Sequence, residues 1–313
     1  MPPKGTRLIL VEGIPGSGKS STAQWLARRL PGARWWYEEA LGHPVYAFRD
    51  GDELGGFVRE LLAGRHAPLV DAALAQWRRF VEATAAGDEV VLVDGCLYGY
   101  LTWSLFPQDL PEPEIAAYVA AVEAILRPLD PRLLYLRRPD VAGTLEALTA
   151  ARGQAMRRAY VERSTGAPYS RRRGYDGFDG MVAFWRDYQA FTDRLFDASP
   201  LTRLRVDDGD WASRHGRIGE WLDLPALAEP SIDPARYVGR YGDARVVLEG
   251  GDLLAIDLPG QWPRVRLVPL GADAFDLESL PHRLVIGHEA ARLECAALLF
   301  SPAATHVLPR WPA

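Results

Sequence analysis

Over the first 225 positions, apolar residues fall into two kinds of run. Short unbroken runs bounded by polar residues read as buried parallel strands. They occupy residues 7–12, 34–38, 89–94, 132–136 and 201–206. Between them lie stretches with apolar residues three and four apart, the spacing of a helix with one buried face. These cover residues 21–30, 53–62, 68–86, 113–126, 177–196 and 211–222, with another helix starting near Val141. Ala23, Leu26, Ala27 and Leu30 share a face of the first. Pro113 suits a first helical turn, and Asp140 is placed to cap the helix that follows it. Alternating strands and helices predict a parallel sheet covered on both faces. Such sheets bind ligands beyond the carboxyl ends of their strands.

The pattern changes after Pro225. Residues 227–234, rich in Pro, read as a linker. Eight short alternating runs follow, at residues 237–241, 244–248, 253–258, 265–270, 274–277, 283–286, 292–298 and 305–308. Gly250-Gly251 marks a hairpin between two of them. The expected organisation is an α/β unit over residues 1–226 and an all-β, barrel-like accessory domain over residues 232–313.

Composition narrows the function. Of 313 residues, 48% are hydrophobic and 25% charged, ordinary for a globular chain, and the net charge of -5 gives no global attraction to nucleic acid or anionic lipid. No apolar run reaches a membrane span, and no signal peptide is visible before the first strand. Cys96 and Cys295 lie far apart without metal-type spacing, so a reduced, cytoplasmic protein is expected. There is no asparagine, which removes N-glycosylation and the Asn-dependent motifs of common GTPases and protein kinases. Among 36 basic residues only Lys4 and Lys19 are lysine. An interior lysine in so arginine-rich a chain suggests a task that arginine does not perform.

That lysine lies in Gly13-Ile-Pro15-Gly16-Ser17-Gly18-Lys19-Ser20, a full match to G-x-x-x-x-G-K-[ST] placed between a strand and a helix. Gly13, Gly16 and Gly18 let the backbone approach oxygen atoms closely. The loop amides, with Pro15 shaping the turn and Ser21 opening the helix, then face a phosphate chain. Lys19 suits the β- and γ-phosphates, and the Ser20 hydroxyl suits Mg²⁺.

Acids at strand ends supply the other candidates. Asp94 ends the Val-Val-Leu-Val run and is placed to hold Mg²⁺ through water or to accept a substrate proton. Glu38 and Glu39 follow strand two, where an acid would flank an acceptor and act as general base; Glu38 is preferred as closer to the strand. Glu12 ends strand one and reads as solvated. His43, before Pro44, reads as structural. Tyr98, Tyr100, Trp103 and Phe106 are either stacking surfaces for a planar substrate or ordinary core. Residues 152–173 hold seven arginines against one acid, Glu162, and are punctuated by Gly153, Gly166 and Gly174. A mobile lid with Arg152, Arg157 and Arg158 as the phosphate-facing members is favoured over a solvated basic helix or a nucleic-acid patch.

With these residues in this order, residues 5–225 resemble the P-loop small-molecule kinases, the group of nucleoside, nucleoside-monophosphate and antibiotic kinases. The resemblance implies a five-stranded parallel sheet in the order 2-3-1-4-5, ATP as donor and Mg²⁺ as its metal. Thymidylate kinases usually place Arg after the strand-three Asp, and deoxynucleoside kinases Glu-Arg-Ser; Gly95-Cys96 stands here instead, so no nucleoside acceptor is assigned. The β-region, through Tyr237 to Tyr241, Leu248 to Leu254, Leu267 to Leu270 and Phe275, resembles the C-terminal β-domain appended to some bacterial serine hydrolases. That pattern predicts shape and little chemistry. It leaves three roles open: completing the substrate pocket, mediating homodimer contacts, or stabilising the α/β unit.

The expected function is an ATP- and Mg²⁺-dependent transfer of a phosphoryl group to a hydroxyl of a small molecule. A polynucleotide 5′-kinase that grips strand phosphates with its arginines, and a non-catalytic ATP-responsive binding protein, are the alternatives.

Overall fold

The computed structural model describes residues 5–207, 209–225 and 230–311. Positions 227–229 of the expected linker lie outside them. The first half runs β1 (Leu8–Glu12), α1 (Lys19–Arg29), β2 (Arg34–Trp36), α2 (Gly51–Leu62), α3 (His66–Ala86), β3 (Val91–Asp94), α4 (Leu101–Leu105) and α5 (Glu112–Leu126). It continues with β4 (Arg132–Leu136), α6 (Val141–Arg152), α7 (Gln154–Thr165), α8 (Pro168–Arg173), α9 (Gly177–Ala198), β5 (Thr202–Val206) and α10 (Trp211–Trp221). The five strands form one parallel sheet in the order β2-β3-β1-β4-β5.

The two-residue period of the strands divides their side chains between two cores. Leu8, Leu10, Val91, Val93, Leu133 and Tyr135 face a large core built with α2, α3, α5 and α9. Ile9, Val11, Leu92, Leu134 and Leu136 face a smaller one closed by α1 and α10. All of these side chains are buried, each stabilising the sheet by roughly 1.5–3 kcal/mol. Burial on both faces explains why the runs read as continuous rather than alternating. Asp140 caps α6 as expected, its side chain accepting from Gly143 N at 2.9 Å.

The second half forms β6 (Gly239–Tyr241), β7 (Ala244–Glu249), β8 (Asp252–Ile256), β9 (Arg264–Gly271), β10 (Ala274–Leu277), β11 (His282–Ile286), β12 (Ala290–Cys295) and β13 (Ala304–Pro309). Each strand pairs antiparallel with the next. A bridge between Tyr241 and Arg310, with Gly242 N donating to Pro309 O, joins the first strand to the last. The sheet is therefore curled into an up-and-down barrel, closed at the end where these strands meet. Its core holds Tyr237, Tyr241, Phe275 and Leu277 from the barrel, and also Tyr37 from the α/β unit.

That intrusion corrects the reading of β2 as residues 34–38. The strand stops at Trp36 because Tyr37 turns away to pack in the barrel, so Glu38 lies in the turn beyond. The barrel is attached along two lines. Gln24, buried on α1, donates to Leu277 O and Leu280 O, both at 2.9 Å, and accepts from Ser279 N at 3.3 Å. Leu299 N donates to Glu39 O, Leu41 N donates to Ala297 O, and Ala40 bridges to Leu298.

Candidate active site

The carboxyl ends of β1 and β3, the start of α1 and the α6–α7 pair surround a cavity of about 500 Å³. Gly13, Pro15, Gly16, Gly18, Lys19, Ser20 and Ser21 all line it. Ser17 does not: its side chain is buried beneath the loop with no hydrogen-bond partner for Oγ. Gly13 and Gly18 have φ of 152° and 91°, backbone that other residues rarely adopt. A side chain at Gly13 would also meet Ser17 Oγ at 2.5 Å and Leu136 O at 2.6 Å. α1 starts at Gly18 without a side-chain cap and without an acid in its first turn, so its N-terminal amides and dipole are turned to the cavity.

Lys19 Nζ sits 3.1 Å from Glu38 Oε2. Burial works against the Lys19 charge, but Glu38 and Asp94 together outweigh it and its pKa is raised. Gly95, with φ of 66°, lies under this pair; a Cβ there would meet Glu38 Oε2 at 2.5 Å and Lys19 Cε at 2.7 Å. The glycine after Asp94, a departure from the pattern of thymidylate kinases, is thus what makes room for the ion pair. The Tyr46 hydroxyl donates to the Glu38 carbonyl and anchors the turn.

Asp94 is fully buried behind Lys19, and Oδ1 accepts from Trp35 Nε1 at 3.1 Å. Its pKa is pushed up to about 7, chiefly by burial and then by the Glu38 charge, with the Ser20 hydroxyl opposing. Oδ2 is buried without a hydrogen-bond partner. Ser20 and this orphaned oxygen suit a magnesium ion that keeps most of its ligands from water and phosphate. Among the described residues there is no cluster of three or more His, Cys, Asp or Glu for an all-protein metal site.

Glu39 also lines the cavity; burial and then the Glu38 charge raise its pKa, against the opposing charges of Arg152, Lys19 and Arg163. Arg152 lines the cavity, with its guanidinium 4.2 Å over the Trp262 ring of the barrel and Nη1 donating to the Tyr160 hydroxyl at 2.7 Å. Arg157 and Arg158 are not brought to the cavity. Arg157 pairs with Glu146 and packs 4.1 Å over Phe178, and Arg158 is exposed. Both follow from the phase of α7, whose cavity-facing side carries Tyr160, Arg163 and Ser164 instead. Arg172 and Arg173 pair with Asp109, so α8 is pinned on its outer side.

Three arginines not singled out in sequence line the cavity instead: Arg138, Arg163 and Arg214. Arg138 follows β4 and donates to Ser17 O; its place just past a strand end was the available signal. Trp211, opening α10, would stand 3.4 Å from a Cβ at Gly18 and flanks the loop with Arg138. The aromatic segment after Asp94 divides. Tyr100 and Phe106 are core, while Tyr98 and Trp103 reach the cavity, Trp103 stacked on Trp185 at 4.5 Å. His43 is buried against Tyr46, and burial lowers its pKa to about 3.

Glu12 departs most from its reading. It is fully buried and accepts from the N–H groups of Cys96, Leu97 and Tyr98 at 3.0, 2.7 and 3.1 Å. It therefore holds the loop after Asp94 in place. Desolvation outweighs those donors and Lys19, and raises its pKa to about 8.

A parallel sheet in the order β2-β3-β1-β4-β5, with this glycine loop joining β1 to α1, is the fold of the P-loop kinases. No family model matches the chain, and no curated protein matches it. Among solved structures it is similar to the thymidylate kinase from Candida albicans, with 17% identity and a TM-score of 0.40, over 71% of this chain and 96% of that one. The fold assignment stands on the strand order. No helix of the described residues is long and apolar enough to cross a membrane.

Proposed function

We propose that the protein transfers the γ-phosphoryl group of ATP, with Mg²⁺, to a hydroxyl of a small-molecule acceptor. The observation that carries this is the 3.1 Å contact between Lys19 Nζ and Glu38 Oε2 at the mouth of the glycine loop. Both side chains line one cavity, which supports reading Lys19 as the phosphate-binding cation and Glu38 as the acceptor-side carboxylate. The loop amides and α1 N-terminus hold the β-phosphate. Lys19 spans the β- and γ-phosphates, and Trp211 and Arg138 flank the donor side.

Phosphate oxygens compete with Glu38 for Lys19, so donor binding releases Glu38 toward the acceptor. Glu38 takes the hydroxyl proton as the acceptor oxygen attacks phosphorus. The bond to the β–γ bridging oxygen breaks, and that oxygen leaves with ADP. Arg138 stabilises the equatorial oxygens during transfer. Ser20 and, through water, Asp94 would hold magnesium, which would supply neutralisation of phosphate charge. Arg152 and the barrel's Trp262 exclude water on the acceptor side. The pairing of Arg157, Arg172 and Arg173 with local acids favours this reading over a strand-gripping basic face.

The test is incubation of the full chain with Mg·ATP and a library of hydroxylated compounds, read by mass spectrometry. The expected result is one phosphoryl group gained by a single chemical class of acceptor. Uptake of ATP by calorimetry with no transfer to any class, including oligonucleotide 5′ ends, would overturn the catalytic reading in favour of an ATP-responsive binding protein.

A further inference from the structure

A second cavity of about 500 Å³ lies between α7 and the barrel. It shares Glu39, Arg152, Tyr160, Arg163 and Trp262 with the glycine-loop cavity, so the two open into each other at a charged neck. Beyond the neck its walls are largely apolar: Met156 from α7, Tyr37 from the turn after β2, and Leu280, Leu298 and Phe300 from the barrel. Met156 and Phe300 remain 36% and 73% exposed, large apolar surface to leave in water beside a polar site.

The neck carries an unmet donor. Arg152 is fixed by Trp262 and Tyr160, yet its Nε is buried with no hydrogen-bond partner. With Arg163 beside it, the neck has two cations against the one carboxylate of Glu39.

We infer that this barrel-walled cavity is the specificity subsite of the acceptor, and that the acceptor is an elongated amphipathic molecule. Its hydroxyl end lies at Glu38, an oxyanion meets Arg152 and Arg163 at the neck, and an aromatic or branched apolar body fills the second cavity. The inference rests on the phosphotransfer reading for the word acceptor, and gives the barrel a role in choosing the substrate. Continuity with the glycine-loop cavity is what commits this surface to a small molecule rather than to a protein partner.

The probe is 8-anilinonaphthalene-1-sulfonate, which joins a sulfonate to two aromatic bodies, titrated into the full chain and followed by fluorescence. We expect one saturable site. Met156→Trp and Ala159→Phe, both exposed and both lining this cavity, should fill it and weaken the probe by at least about tenfold through lost apolar burial. Arg163→Gln should weaken it by about fivefold or more through the lost charge-assisted bond. ATP uptake by Met156→Trp, measured by calorimetry, should match the parent chain. Probe binding unchanged by both filling variants, with ATP uptake intact, overturns this inference and leaves the phosphotransfer reading standing. Absence of ATP uptake in the parent overturns the phosphotransfer reading, and the acceptor assignment with it. In the acceptor library, selection of short polyols over compounds with an apolar body would also refute the subsite.

Discussion

Replacing Glu12 by Gln removes a proton-binding group from the centre of the molecule while keeping its shape. In the fold the carboxyl is raised from its ordinary 4.5 to about 8, with desolvation as the largest cause. Between those pH values the folded chain keeps a proton that the unfolded chain has lost, so stability falls as pH rises through the window. At about 1.4 kcal/mol per pH unit, the loss above pH 8 is on the order of 5 kcal/mol. Gln does not titrate. Its carbonyl can accept from Cys96 N and Leu97 N, as Glu12 Oε1 does now. Its NH₂, however, faces the Tyr98 N–H that Oε2 now satisfies, and an unmet buried donor costs about 1–3 kcal/mol. Glu12→Gln should therefore be the less stable chain below pH 4.5 and the more stable one above pH 8, crossing near about pH 6. Urea unfolding followed by tryptophan fluorescence at pH 5, 7 and 9 measures the difference, and titrating groups common to both chains cancel. A constant deficit for the variant at all three values would refute the argument, since it would mean that Glu12 does not hold its proton in the folded state.

Lys19→Ala should abolish phosphoryl transfer and weaken ATP by about tenfold or more; undiminished transfer would remove the ammonium group from the reaction. Gly95→Ala should cost about 1–2 kcal/mol for its left-handed backbone, and by displacing Lys19 and Glu38 it should lower kcat far more than that loss accounts for. Gln24→Ala removes three bonds to the barrel and leaves Leu280 O and Ser279 N without that partner, while Leu277 O keeps Leu280 N; a loss of roughly 2–4 kcal/mol and a separate, earlier melting step in calorimetry are expected. His43, held near 3 by burial, stays neutral while the unfolded chain gains a proton below pH 6.5, so its contribution to stability is lost as pH falls from 6.5 toward 3. His43→Phe should flatten that acid limb in circular dichroism, and an unchanged limb would count against the burial argument.

The parallel sheet and the glycine loop were legible because their signals are local. Eight consecutive residues specify the loop, and each buried strand carries its own apolar run. Boundaries slipped where distant parts intervene, as at β2, whose end is set by Tyr37 packing into a domain two hundred residues away. Glu12 was misread for the same reason. Nothing near it in sequence shows that three amides 84 to 86 positions later converge on its carboxyl. The basic stretch was visible as charge, yet charge alone carries no helical phase. Arg152 and Arg163 face the cavity while Arg157, between them, pairs outward with Glu146. The eight barrel strands were readable from their alternation, whereas Trp262 and Ser279 could not be assigned to the site, because a pattern of packing residues does not say which rim meets another domain.

The backbone bonds from Leu41 and Glu39 to Ala297 and Leu299 have a mechanical meaning. The turn bearing Glu38 is stitched main chain to main chain onto the loop between β12 and β13, while Lys19 belongs to a helix gripped through Gln24 by the loop between β10 and β11 on the same rim. The barrel thus acts as a crosspiece that spans the two partners of the Lys19–Glu38 contact. Because both anchors belong to one body, the barrel holds that separation, and cutting it away would loosen both at once.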